Sequence, residues 1–112
     1  MAEMQTVVEL DSFLRAAKPL MSDAERADLV DFVAANPQTG ISLGGGLRKL
    51  RVARPGSGKS GSYRTVYVFG GKSMPVFLVT VFAKNEKENL SRSEQSAMIE
   101  TSKVLLETYG AQ

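Results

Sequence analysis

The run "PVFLVTVFA" (Pro75 to Ala83) constrains the fold more than any other part of this chain. Side chains of a strand point alternately to its two faces, so a strand with one wet face reads apolar at every second position. Here both sets of positions are apolar. Such a strand must be central and covered on both faces, with a layer packed on each side of its sheet.

Two segments before it alternate cleanly. In "LRKLRVAR", Leu50 and Val52 fall on one face, and Lys49 and Arg51 on the other. In "SYRTVYVF", Tyr63, Thr65, Tyr67 and Phe69 share one face, while Arg64, Val66 and Val68 share the other. Tyr63 and Tyr67 read as core, and Gly70-Gly71 supplies a hairpin turn before the central strand.

Helical signals flank these strands. A short strand over Thr6 to Glu9 leads into a helical turn that Pro19 interrupts. Ser22 and Glu25 have capping-box spacing and open a helix with an apolar stripe of Leu29, Phe32 and Val33, ended by Asn36-Pro37. Ser91 and Glu94 repeat that spacing before a helix whose stripe is Met98, Thr101, Leu105 and Tyr109, closed by Gly110. The turn-rich stretch from Gln38 to Gly46 reads as a flexible connection. The order predicts an α+β fold over residues 1–112 as a single domain, with a mostly antiparallel sheet packed against N-terminal helices and a C-terminal helix.

The chain has no cysteine and no histidine. Disulfides and thiolate metal sites are excluded, and so is the commonest general base. No apolar run is long enough to span a bilayer, and the acidic start lacks the pattern of a signal peptide, so a cytoplasmic protein without membrane association is expected. The net charge of +2 conceals an asymmetry. From Phe32 to Asn85 there is no Asp or Glu, yet Arg48, Lys49, Arg51, Arg54, Lys59, Arg64, Lys72 and Lys84 all lie there. A stretch of one sign, set beside glycines, is the footprint expected for a polyanion. A basic surface kept for solubility is the plainer alternative.

The residues Ala53 to Ser60, "ARPGSGKS", satisfy a loosened phosphate-loop pattern. A nucleotide site of that kind needs a helix directly after the loop, whose N-terminus meets the phosphates. The residues that follow have strand period and a further glycine. The stretch therefore reads as a hairpin loop that carries Arg54 and Lys59 to a phosphodiester, and nucleotide binding is the weakest of three functional readings.

In order, "GGGLRKLRVAR", "GSGKSGSYRTVYVF", "VFLVTVFAKNEKENLS" and the closing helix resemble the RelE/HigB-like toxins of type II toxin–antitoxin systems. The resemblance implies a small RelE-like, microbial-ribonuclease-like fold. It implies an mRNA endoribonuclease that acts in the ribosomal A site on the 30S subunit, inhibiting translation, with no cofactor and no metal. The mRNA's own 2′-hydroxyl attacks the adjacent phosphate in such enzymes, leaving a 2′,3′-cyclic phosphate and a 5′-hydroxyl. A cognate antitoxin, of helix-turn-helix type and the sole link to operator DNA, is implied as partner.

Carried over by motif, Arg64 matches the strand arginine that stabilises the transition state, and Lys49 and Arg51 match the paired basic positions on the preceding strand. Lys84 matches a basic position at the end of the last central strand. Asn85 stands where several members have a second cation, and Ser91 stands near the place of a tyrosine that some members use. The expected catalytic set is Arg51, Lys59, Arg64 and Lys84, with Arg48, Lys49, Arg54, Ser60, Asn85 and Lys87 as RNA contacts. Crowded cations lower a lysine's pKa and leave arginine charged. Lys59 or Lys84 is thus assigned proton transfer, and Arg51 and Arg64 the clamping of charge. Each has a plainer alternative: Lys49 and Arg51 suit an edge strand's solvent face, and Lys59 a loop. A non-catalytic RNA- or ribosome-binding translation regulator remains the second functional reading.

Overall fold

A computed structural model of the chain describes residues 4–53, 62–83 and 89–110. Eight elements follow in order: β1 (Val7–Glu9), α1 (Asp11–Ala17), α2 (Asp23–Ala35), β2 (Ile41–Gly44), β3 (Leu47–Val52), β4 (Tyr63–Val68), β5 (Val76–Ala83) and α3 (Arg92–Tyr109). The strands form one five-stranded sheet in the order β1-β5-β4-β3-β2. Pairing is antiparallel throughout except for β1, which lies parallel to β5. The α+β architecture expected from the sequence is the one observed.

β5 is interior to the sheet and buried along nearly its whole length, as its two-sided apolarity requires. On one face, Phe13 and Ala17 of α1 and Leu29 and Val33 of α2 pack against Leu50, Tyr63, Tyr67, Val76, Leu78, Val81 and Ala83. On the other, Met98, Ile99, Leu105 and Leu106 of α3 pack with Leu47, Val66, Val68, Phe77, Val79 and Phe82. We call these the N-helix face and the α3 face. A register shift makes this division possible. Tyr67 pairs with Leu78 but Val66 pairs with Thr80, so Val79 is an extra residue that resets the alternation of β5. Phe77, Val79 and Phe82 consequently share the α3 face although their spacing is not even.

Both capping boxes form. Ser22 accepts from the backbone N–H of Glu25 and Ser91 from that of Glu94, while each glutamate returns a bond to the cap residue's N–H. α1 lies beside β5, with the Ser12 hydroxyl donating to the Val79 carbonyl. Glu9 and Arg26 form an ion pair at 3.0 Å that ties β1 to α2.

Three local expectations change. Ile41–Gly44, read as part of a flexible connection, is an edge strand paired with β3. The short strand lacks a long apolar pattern, and its register is set by the Gly44-Gly45-Gly46 turn, where all three glycines have positive φ. Phe32 is exposed, whereas Leu29 and Val33 are core. The buried side of α3 runs through Met98, Ile99, Ser102, Leu105 and Leu106, while Thr101 and Tyr109 are exposed. A small polar residue, Ser102, occupies the closest contact because its hydroxyl meets the Gly45 carbonyl at 2.5 Å.

Candidate functional site

The strand register places the candidate cations in cross-sheet rows. Arg51 of β3 is the direct partner of Arg64 of β4, and Arg64 in turn of Phe82 of β5. The adjacent row on the same face is Ile41, Lys49, Val66 and Thr80. Directly opposed residues share a face, so the register brings Lys49, Arg51 and Arg64 together on the α3 face, which alternation within each strand left open. Like charges placed directly opposite each other are destabilising. Fold stability does not account for keeping both arginines there.

Arg64 has only 6% of its surface exposed, whereas Arg51 is exposed. A buried guanidinium normally sits against a carboxylate. Arg64 instead donates from Nη1 to the Ser62 hydroxyl at 2.6 Å. Lys49 likewise donates from Nζ to Asn89 Oδ1 at 2.6 Å, just ahead of the α3 cap. Among the described residues, no carboxylate lies within ion-pair distance of Lys49, Arg51 or Arg64. Lys49 and Arg64 are thus each held by a neutral acceptor.

Arg48 belongs elsewhere. It pairs with Tyr67 and so faces the N-helix side, where Nη1 donates to the carbonyls of Gly40 at 2.6 Å and Gln38 at 3.2 Å. Its guanidinium lies 5.8 Å from the Phe69 ring centre, within cation–π range. Arg48 thus anchors the link between α2 and β2, apart from Lys49, Arg51 and Arg64.

None of the three tyrosines joins the row. Tyr63 donates to the Leu20 carbonyl on the N-helix face. The Tyr67 hydroxyl accepts from Gly40 N at 3.0 Å and donates to the Pro37 carbonyl at 2.9 Å. Burial pushes its pKa up, against smaller opposing effects of the Gly40 N–H and Arg48. Tyr109 packs its ring 5.1 Å from that of Phe77.

Arg54, Lys59, Ser60, Lys84, Asn85 and Lys87 lie outside the described residues. From Tyr63 the chain is the strand β4, where the helix that follows a phosphate loop would continue. Two contact residues escape motif reading altogether. Ser62 announces itself only through its position two residues before Arg64, on the same face. Asn89 gives no signal, because its contact with Lys49 spans 40 residues.

Two clefts among the described residues differ in their relation to the cross-sheet rows: the first is remote from them, and the second is lined by Thr80 and Phe82, which end them. One, of about 950 Å³, lies at the far end of the sheet between Gln5, Asn36, Phe69 and Lys72. The other, of about 480 Å³, runs between α1, α3 and Phe82. No helix among the described residues is long and apolar enough to cross a membrane.

The family model described as the RelE toxin of the RelE / RelB toxin–antitoxin system matches residues 6–112, a span that takes in the whole sheet and all three helices. With that match over nearly the whole chain, and an α+β fold compatible with it, the chain belongs to the RelE toxin family, and is the toxin whose counterpart is a cognate antitoxin.

Proposed function

We propose that this toxin is a ribosome-dependent endoribonuclease that cuts mRNA in the A site through attack by the RNA's own 2′-hydroxyl, without a metal. The observation that carries the reading is the direct pairing of Arg51 and Arg64 across β3 and β4, unneutralised among the described residues. In-line attack forms a bond from the 2′-oxygen to phosphorus and breaks the bond to the 5′-oxygen. Extra negative charge builds on the non-bridging oxygens at the transition state. Arg51, exposed, meets the phosphate first; Arg64, buried, acts where low polarisability of the surroundings strengthens its field. Lys49, one row away, holds a neighbouring phosphate.

The 2′-proton must leave and the 5′-oxygen must gain a proton. With no histidine in the chain and all three tyrosines engaged elsewhere, lysine is the fitting group. Lys59 and Lys84 are assigned this role. Arg54, Ser60, Asn85 and Lys87 are assigned RNA contacts, and Arg48 a structural one. The site is cytoplasmic in this reading, and the antitoxin neutralises the toxin by closing the cationic face.

The test is to incubate ribosomes programmed with a defined mRNA and map the new RNA ends. Cuts in the A-site codon that vanish with a 2′-deoxy nucleotide at the scissile position, and with Arg64→Ala, support the reading. Protection of the mRNA without cuts identifies a non-catalytic binder instead.

A further inference from the structure

We propose that Ser62 is a positioning residue for Arg64, and that its being a neutral acceptor is what lets Arg64 work. The inference rests on Arg64 acting as the transition-state clamp. Ser62 and Arg64 are both buried, two residues apart, and therefore on one face of the chain entering β4. Their contact is short, 2.6 Å from Nη1 to Oγ. Among the described residues the Ser62 hydroxyl is the one hydrogen-bond partner of this guanidinium.

The physics of that choice is specific. A long side chain left free samples several rotamers, and misplacement of a charge-stabilising group by an ångström can cost about 100-fold in rate. Something must hold the guanidinium. The Arg51 side chain beside it cannot, since two guanidiniums repel and neither accepts a hydrogen bond. The Phe82 ring on the other side offers no hydrogen-bonding oxygen. A carboxylate would hold Arg64 firmly but would also cancel its charge and compete with the substrate phosphate for the same N–H groups. A hydroxyl fixes one nitrogen and leaves the charge whole. Serine is also the shortest side chain that carries one, and the two-residue offset brings it beside the guanidinium without a second long side chain to order.

Two variants and one spectrum decide the matter. Ser62→Ala removes the acceptor at small steric cost. In single-turnover cleavage on programmed ribosomes it should slow the cut roughly 10- to 100-fold. Affinity for ribosome-bound mRNA blocked by a 2′-deoxy nucleotide should stay within about threefold, since binding is spread over many cations. Ser62→Asp should be slower still, down to the level of Arg64→Ala, while binding of that blocked mRNA is also weakened. Ser62→Ala cutting at the wild-type rate, or losing rate, affinity and melting temperature together, overturns the proposal, as does Ser62→Asp outpacing Ser62→Ala. Nitrogen-detected NMR of the arginine side chains is independent of cleavage. Arg64 should show separate, slowly exchanging Nη signals in the wild type that merge in Ser62→Ala, and identical spectra overturn the assignment. Wild-type protein that cuts nothing defeats the nuclease reading, and the NMR comparison then still decides what Ser62 does.

Discussion

Lys49 and Asn89 meet at 2.6 Å, ammonium to side-chain amide oxygen, and so join the middle of β3 to the residues leading into α3. The bond is charge-assisted on one side only. It steers Lys49 without cancelling it, which fits a lysine meant for a phosphate.

Asn89→Asp turns this contact into an ion pair, worth at most about 1 kcal/mol at such a site, so the fold should hold. Lys49 would no longer be available to RNA. Binding to ribosome-bound, uncleavable mRNA should weaken, and the slope of log affinity against log salt should become shallower by about 0.7, the loss of one phosphate contact. A salt titration of the two proteins is the measurement. An unchanged slope removes Lys49 from the RNA contacts.

Arg64→Met offers a sharper separation of stability from activity. Arg64 is a buried charge with no carboxylate partner among the described residues, so an apolar side chain of similar length removes an uncompensated charge from the interior. Here it also relieves the repulsion with Arg51. The variant should melt at the wild-type temperature or above it, yet cause no growth arrest when induced. A lowered melting temperature would mean that Arg64 serves the fold.

Tyr67→Phe should do the reverse. It strands the Gly40 N–H and the Pro37 carbonyl in a buried place, at about 1–3 kcal/mol, while cleavage by the remaining folded protein is unchanged. The pH profile supplies a second check. With its folded pKa raised above the ordinary 10.0, Tyr67 stays protonated in the native state where the unfolded chain has begun to lose the proton. Its contribution is complete below pH 10 and declines as pH climbs from there through the folded value. Denaturant melts across that alkaline range should show this decline in the wild type and not in Tyr67→Phe.

Gly46→Ala tests the seat of α3. Gly46 has φ +87°, and a Cβ there would lie 2.8 Å from Leu106 Cδ1 and 3.3 Å from Ser102 Oγ. Backbone strain alone costs about 1–3 kcal/mol, and the clash adds to it. Melting should fall accordingly, with hydrogen exchange rising first in α3. Gly71 also has positive φ, but open space surrounds it, so Gly71→Ala should show the strain without the clash.

Much of this was legible because the informative residues are in strands. Period two separates Lys49 and Arg51 from Leu50 and Val52 within one strand, and Arg64 from Tyr63, Thr65 and Tyr67 within the next; only the register Arg51 to Arg64 puts the two basic sets on one side. The capping boxes act over three residues and are equally local. What escaped depends on distance. Ile41–Gly44 becomes a strand only because β3 folds back on it. The buried side of α3 is set by where the glycine turn admits it, around Ser102, and hydrophobicity alone does not reveal that. Arg48 takes its partners, the carbonyls of Gln38 and Gly40, from a link that only the folded sheet edge brings to it. Lys59 and Lys84, assigned by motif, lie outside the described residues.

The additional residue at Val79 has a bearing on how this chain can vary. Because β5 changes phase there, Phe77 and Phe82 are subject to one set of neighbours, and Val76 and Val81 to the other, although each pair is an odd number of positions apart. A substitution scan along the strand should not yield a steady two-beat rhythm of tolerance. It should keep time from Val76 to Val79, miss one beat, and resume inverted. Alignments that score this strand by simple alternation would place one half of it inside out.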